Sequence, residues 1–175
     1  MAFTSAATQT TFDVAFYQGQ EGDLYDAATA EDGLEDSFAA QVAVPFGRGI
    51  VTAAATPNEC ALPTDAGTAA RFAGVSVRDN QVATYSGGYP IGVQVRALRF
   101  GRIWVKAEAA VADLAPVYVR FTESATGAAD QGKFRGDTDS GKALLVPGAR
   151  FRSKNGVVSA AGMVVVELQH IGPTA

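Results

Sequence analysis

The sequence predicts a mainly β fold, with an antiparallel β-barrel or sandwich core and an extended N-terminal arm. Apolar residues alternate with polar ones in short runs from Val42 onward, which is the pattern of half-buried strands. Nineteen glycines and seven prolines separate these runs and favour short elements joined by turns. About eight short strands with such punctuation are typical of a barrel or a sandwich. We therefore divide the chain into an arm at residues 1–36 and a β-rich core domain at residues 37–175.

Residues 1–36 show no sustained period. Phe12, Val14 and Phe16 alternate with polar or small residues, Tyr17 follows, and glycines and acidic residues come next. A disordered tail is the alternative, but such tails are usually poor in aromatic residues. We predict an arm that becomes ordered against another surface, with Phe12, Val14, Phe16 and Tyr17 as its contact residues.

The core shows its strands as separate apolar runs. The predicted strands are, in order, Val42–Phe46, Ile50–Val51, Arg71–Val77, residues 91–106, Val117–Phe121, Leu144–Val146, Val157–Val158 and Met163–Leu168. Residues 53–70 and 122–141 are rich in polar, small or turn-forming residues and are predicted loops. Phe100-Gly101 interrupts the alternation in 91–106, which predicts two strands joined at a bulge or a tight hairpin.

Three further connections are predicted from local composition. Residues 106–114 are rich in alanine but short, and Pro116 follows closely, so we predict a loop or a single turn. Pro147-Gly148 is a turn pair that should end the strand before it. Asn155-Gly156 predicts a hairpin, because this pair readily adopts the positive φ angles of a two-residue turn.

Charge is distributed unevenly along the chain. Residues 1–66 hold ten acidic and one basic side chain, and the remainder holds eight acidic and thirteen basic, so the two parts carry −9 and +5. The net charge of −4 argues against direct nucleic-acid binding, which needs a basic surface. The two parts could attract each other within a chain or between chains, or the acidic part could be a solvated arm.

The sequence indicates a protein of a reducing compartment without a membrane partner. Cys60 is the only cysteine, so no disulfide can form within the chain. Met1 to Thr11 lack the basic and apolar regions of a signal peptide. No stretch reaches the roughly 18 apolar residues that a membrane helix needs.

No motif predicts catalysis, a cofactor or a metal site. His170 is the only histidine, whereas hydrolytic triads and most zinc sites need partners for it. Gly136 to Lys142 matches the G-x-x-x-x-G-K phosphate loop, but Ala143 replaces the Mg²⁺-binding hydroxyl and no helix pattern follows. Asp137 and Asp139 lack the further oxygen ligands of a calcium loop. We expect a polar loop there and a protein that is not an enzyme.

The ordered set of motifs in residues 42–169 resembles tailed-bacteriophage capsid cement, or decoration, proteins. The pair G-R-I-W-V at Gly101–Val105 and P-V-Y-V-R at Pro116–Arg120 carries most of the resemblance. The other motifs are Phe72-Ala73-Gly74-Val75, Ile91-Gly92-Val93-Gln94-Val95, Gly132-Lys133-Phe134-Arg135, Pro147-Gly148-Ala149-Arg150-Phe151 and Val164-Val165-Val166-Glu167-Leu168.

This resemblance implies a structural protein that binds the outer surface of the phage head and stabilises contacts between major capsid protein subunits. It implies assembly in the host cytoplasm, no cofactor, and self-association as a homotrimer in preference to a homodimer. The alternative is a phage tail or surface binding module that contacts host protein or glycan, for which residues 122–141 would be the candidate loop.

Overall fold

The computed structural model of the protein describes residues 20–25, 34–53, 56–79, 87–122, 130–152, 157–158 and 162–169. Within them the chain is mainly β, as predicted. The strands are β1 Leu34–Ala40, β2 Val44–Pro45, β3 Gly49–Thr52, β4 Glu59–Ala61, β5 Phe72–Ser76, β6 Gly88–Tyr89, β7 Gln94–Ala107, β8 Val111–Ala112, β9 Pro116–Arg120, β10 Phe134–Arg135, β11 Ala143–Arg152, β12 Val157–Val158 and β13 Gly162–Leu168. The helix α1 spans Ala66–Ala69.

Strand β7 organises the fold because two closed rings of strands share it. Its second half pairs with β13 and β10, and the order β7-β10-β9-β11-β13 closes a five-stranded barrel. Its first half pairs with β1 and β5, and β1-β4-β3-β5-β7 forms a second closed ring. Most pairs are antiparallel, while β1–β4 and β7–β10 are parallel. The predicted barrel core is therefore confirmed.

Each ring encloses its own apolar cluster. The larger cluster fills the five-stranded barrel and includes Ile103, Val105, Phe134 and Phe151. The smaller cluster lies inside the second ring around Phe46, Ile50, Tyr89 and Val95. Strand β5 is buried along its whole length because Phe72 and Val75 face the larger cluster, whereas Ala73 faces the smaller one.

The predicted loop at residues 53–70 contains both a strand and a helix. Cys60 lies on β4, fully buried in the smaller cluster, and burial raises the pKa of its thiol to about 12. Asp65 begins α1 by accepting a hydrogen bond from the Thr68 backbone N–H, and the Thr68 hydroxyl accepts one from the Asp65 N–H. This reciprocal cap allows a four-residue helix to form where the composition alone predicted none.

Neither of two predicted breaks ends a strand. At Phe100-Gly101 the predicted bulge corresponds to a register shift between β1 and β7, where Leu34 pairs with Phe100 and Glu35 with Leu98, but the predicted division into two strands is wrong. Gly101 adopts φ 121° inside β7, which runs unbroken through Phe100-Gly101. Strand β11 likewise continues through Pro147-Gly148, where a register shift between Leu145 and Arg150 marks a bulge. A bulge is a position where a sheet tolerates proline, because the ladder hydrogen bond is already missing.

The predicted hairpin at Asn155-Gly156 lies outside the described residues. Val157–Val158 forms β12 and pairs with β8, at Val111–Ala112. The predicted loop or turn at residues 106–114 therefore contributes a short strand. Met163–Leu168 lies within β13, as predicted. Within the described residues, no helix has the length and apolar composition that a membrane crossing needs.

Candidate functional site

Residues 20–25, in the predicted arm, form part of the barrel wall. The Gly22 N–H donates to the carbonyl of Trp104 at 2.8 Å, and the Tyr25 N–H donates to the carbonyl of Arg102 at 3.0 Å. The Tyr25 and Trp104 rings lie 5.7 Å apart between centroids. The segment thus occupies the edge of β7 beside the barrel, although the division of the chain at residue 36 stays a prediction.

Two arginines, the buried Arg48 and the partly exposed Arg78, form ion pairs with the acidic side chains of this segment. Arg48 lies 3.6 Å from the Glu21 carboxylate, and Arg78 lies 3.1 Å from the Asp23 carboxylate. The Arg78 guanidinium also stands 4.9 Å above the Phe46 ring. Burial raises the pKa of Glu21 and lowers the pKa of Arg48, and the attraction between the two opposes both shifts. The segment is therefore held by charge as well as by backbone hydrogen bonds.

The same pairing of acidic and basic parts continues on β1. Arg96 forms a two-pronged contact with Glu35, with Nε at 2.9 Å and Nη2 at 3.1 Å from its two oxygens. Arg99 forms an ion pair with Asp36. With Asp23–Arg78, these pairs join the acidic residues 1–66 to the basic remainder, so that attraction operates within one chain.

A second group of charged side chains lies where the barrel closes between β7 and β9 through β10, a strand of only two residues. We call this place the seam of the barrel. The Glu108 carboxylate accepts from Arg120 Nε at 2.7 Å and from Arg135 Nη1 at 3.2 Å. Arg120 also donates to Asp139 at 2.5 Å, and Arg135 lies 2.9 Å from Asp137. The Arg120 side chain is 5% exposed and that of Glu108 is 11% exposed. We call these five residues the seam network.

The loop that resembles a phosphate loop has another geometry. Asp139, Ser140 and Gly141 have φ angles of 43°, 56° and 83°, which gives three consecutive left-handed residues. The Thr138 carbonyl accepts hydrogen bonds from the N–H groups of residues 141, 142 and 143. Strand β11 starts directly afterwards at Ala143, so a strand stands where a phosphate loop needs a helix N-terminus. The Asp137 and Asp139 carboxylates form ion pairs with Arg135 and Arg120, the two arginines of the seam network.

A third charged group lies on the outer face of β7, β13 and β11. The Glu167 carboxylate accepts from Arg102 Nε at 3.0 Å and from Arg152 Nε at 2.6 Å. Chiefly because of the Arg152 hydrogen bonds, the pKa of Glu167 falls from 4.5 to about 2, with smaller contributions from Gln169 and Arg102. This carboxylate therefore stays ionised through mildly acidic conditions.

Glu167 makes the free energy of unfolding depend on pH under acidic conditions. Its folded-state pKa lies below its ordinary value, so its ion pairs contribute stability that is fully present above pH 4.5 and is lost as the pH falls towards about 2. We expect the urea midpoint of the wild type to fall more steeply over this interval than that of Glu167→Gln. Equal falls would show that folding does not lower the pKa of Glu167, and an NMR titration of its carboxyl in the folded protein provides the direct check.

The candidate contact residues Phe12, Val14, Phe16 and Tyr17 lie outside the described residues, and so does His170. Among the described residues, no group of three or more histidine, cysteine or acidic side chains could hold a metal ion. Sequence reasoning missed the seam network, because residues 108, 120 and 135 have no regular spacing. The only signal was Arg120 at the end of an otherwise apolar strand.

The described residues define a β-barrel protein in which ion pairs connect strands, loops and the segment at residues 20–25. The phage family described as structural cement protein (E217 gp24/Pam3 gp6) matches residues 8–169. The chain belongs to this family, as the sequence motifs predicted, and is a structural protein of the phage capsid. Such a family is not a class of enzymes.

One solved structure gives the same architecture. A chain in the capsid of the Myoviridae phage XM1 matches with a TM-score of 0.69 and 22% identity, covering 98% of this chain and 100% of that chain. At this level of identity the likeness shows the fold. No curated protein matches the sequence.

Proposed function

We propose that the protein binds the outer surface of the phage head and stabilises contacts between major capsid protein subunits. The observation that carries this proposal is the family match over residues 8–169, nearly the whole chain. A rigid barrel with ion pairs across its seam suits a protein that must hold its shape while neighbouring subunits pull on it. Assembly in the host cytoplasm fits the single, buried Cys60 thiol.

The stabilisation would arise from mass action. A protein that binds the mature shell and not its immature or burst form shifts the equilibrium towards the mature shell. Many copies on one head multiply a modest free energy of binding at each site. The expected effect is a higher temperature of head rupture when the protein is bound.

The arm is our candidate for part of this contact. Residues 1–19 precede the point where Gln20 joins the barrel wall beside Trp104, and a chain of that length spans at most about 65 Å. Phe12, Val14 and Phe16 alternate as in a strand, so the arm could add a strand to an exposed sheet edge of a capsid subunit. Tyr17 would add apolar contact area next to them.

Deletion of residues 1–19 tests this part of the arm and leaves the described contacts in place, because those contacts involve residues from Gln20 onward. We expect the truncated protein to keep its thermal unfolding midpoint and to lose most of its affinity for expanded heads. The matched variants replace Phe12, Val14, Phe16 and Tyr17 by serine, or instead replace Thr8, Gln9 and Thr10 by alanine. Only the first should weaken binding.

Three outcomes would oppose different parts of the proposal. Unchanged affinity of the truncated protein would remove the arm from the contact and leave head binding in place. No binding of the wild type to heads, with binding to tails or host surfaces instead, would favour the alternative module. We also propose a homotrimer, and a native mass other than three times the 18.1 kDa chain mass would contradict it.

A further inference from the structure

The outer face of β7, β13 and β11 carries an excess of arginine. In the strand register, Glu167 lies opposite Arg102 on one side and opposite Arg150 on the other, so these three side chains share one face. Arg152 also reaches Glu167 across this face. We call Arg102, Arg150 and Arg152 with the carboxylate between them the basic face.

Among the described residues, the carboxylates near this face are fewer than its arginines. Glu167 accepts hydrogen bonds from both Arg102 and Arg152, and the negative charge of Asp113 attracts Arg152. Arg150 is exposed, and no ion pair joins it to another described residue. The exposed Arg150 therefore lies beside two arginines whose side chains are 42% and 38% exposed, Arg102 and Arg152.

Exposed aromatic area adjoins the arginines. Trp104 lies two residues from Arg102 on β7, its side chain on the same face, and Tyr25 packs against it while remaining 36% exposed. Arginine and aromatic side chains are the types enriched in protein interfaces. The segment at residues 20–25 runs along this edge of β7, so the basic face is continuous with the point where the proposed capsid-binding arm joins the barrel.

We propose that the basic face docks on a carboxylate-bearing surface of the capsid shell. This inference rests on the proposed function and names the face that performs it. The guanidiniums of Arg102 and Arg152 already donate hydrogen bonds to the Glu167 carboxylate. The planar guanidinium of Arg150 would bind a second carboxylate, supplied by the partner, in the same way. An acidic protein surface fits better than nucleic acid, because nucleic-acid binding needs an extended basic surface, whereas the basic face offers three arginines on a chain with a net charge of −4.

Charge reversal at Arg150 tests the proposal with the full-length protein. We expect Arg150→Glu to weaken binding to expanded, undecorated heads about tenfold or more at low salt, and Arg150→Ala to weaken it about threefold. The matched control is Lys142→Glu, which makes the same charge change at an exposed position just before the other end of β11 and should change affinity less than about twofold. Salt near 1 M should shrink the differences between variants.

Separate outcomes bear on the inference and on the proposed function. Normal Trp104 emission and an unchanged unfolding midpoint would confirm that the variants fold, with Arg150→Ala as the milder substitution if Arg150→Glu does not. Equal binding of wild type and both Arg150 variants would overturn the inference while the wild type still binds heads. Competition by duplex DNA but not by polyglutamate would also overturn it, in favour of a nucleic-acid site. Failure of the wild type to bind heads would overturn the proposed function and this inference with it.

Discussion

Replacing Glu108 by alanine should lower the free energy of unfolding by about 3 kcal/mol. Glu108 is the carboxylate shared by Arg120 and Arg135, whose side chains are 5% and 13% exposed. Without it, two largely desolvated guanidiniums lose a partner, and water cannot reach them fully to compensate. The expected loss of stability lies near the lower end of the range for removing one partner of a buried ion pair, because Arg120 still donates to Asp139. Urea denaturation at neutral pH measures the change.

Glu35→Ala is the matched control for this prediction. Glu35 makes a comparable two-pronged pair with Arg96, but that guanidinium is 46% exposed. Because exposed pairs contribute little, the control should lower the free energy of unfolding by less than about 1 kcal/mol. Similar losses in the two variants would mean that burial does not set the strength of the seam network, and Glu108→Gln would then separate charge from size.

Replacing Gly22 by alanine should lower the free energy of unfolding by about 3 kcal/mol, through backbone strain and overpacking together. Gly22 has φ 89°, and an added Cβ would lie 2.9 Å from the Gly47 nitrogen and 3.0 Å from the Arg78 nitrogen. Both neighbours are backbone atoms that cannot rotate away. We expect the segment at residues 20–25 to separate from β7 and to expose Trp104, the only tryptophan, with a red shift in its emission.

Gly87→Ala is the control that separates the effect of the close contact from the effect of backbone strain. Gly87 has the same φ of 89°, but an added Cβ there meets nothing within 4 Å. The Gly87→Ala variant should therefore lose only the contribution of backbone strain, about 1–2 kcal/mol of its free energy of unfolding. Its Trp104 emission should stay unchanged. Equal losses at the two glycines, or an unshifted emission for Gly22→Ala, would show that the segment at residues 20–25 does not depend on this close approach.

Period-two alternation was sufficient to predict most of the β content. Arg71–Val77, Val117–Phe121 and Met163–Leu168 lie on strands β5, β9 and β13, because these runs combine β-branched residues with clear turn signals. The strand ends predicted at Gly101 and Gly148 are both wrong, for one reason. A glycine ends a strand or bends it, depending on whether neighbouring strands continue to pair across it, and that information is not local.

The candidate site was predictable only in part. The motifs around Gly101–Val105 and Pro116–Arg120 identified the family, and the uneven charge anticipated an attraction between the two parts of the chain. The sequence did not show which arginine meets which carboxylate. Glu108 and Arg135 are 27 residues apart and meet only because β10 lies between β7 and β9.

By itself, the sequence determined the mainly β class, the approximate positions of the principal strands, the capsid family and the acidic character of the first part of the chain. These properties depend on local periodicity, composition and short motifs. Only the tertiary structure decided that β7 is one strand shared by two closed rings, that residues 20–25 lie in the barrel wall, and that three arginines share one outer face. Strand pairing joins residues distant in sequence, and the register of each pair decides which side chains share a face.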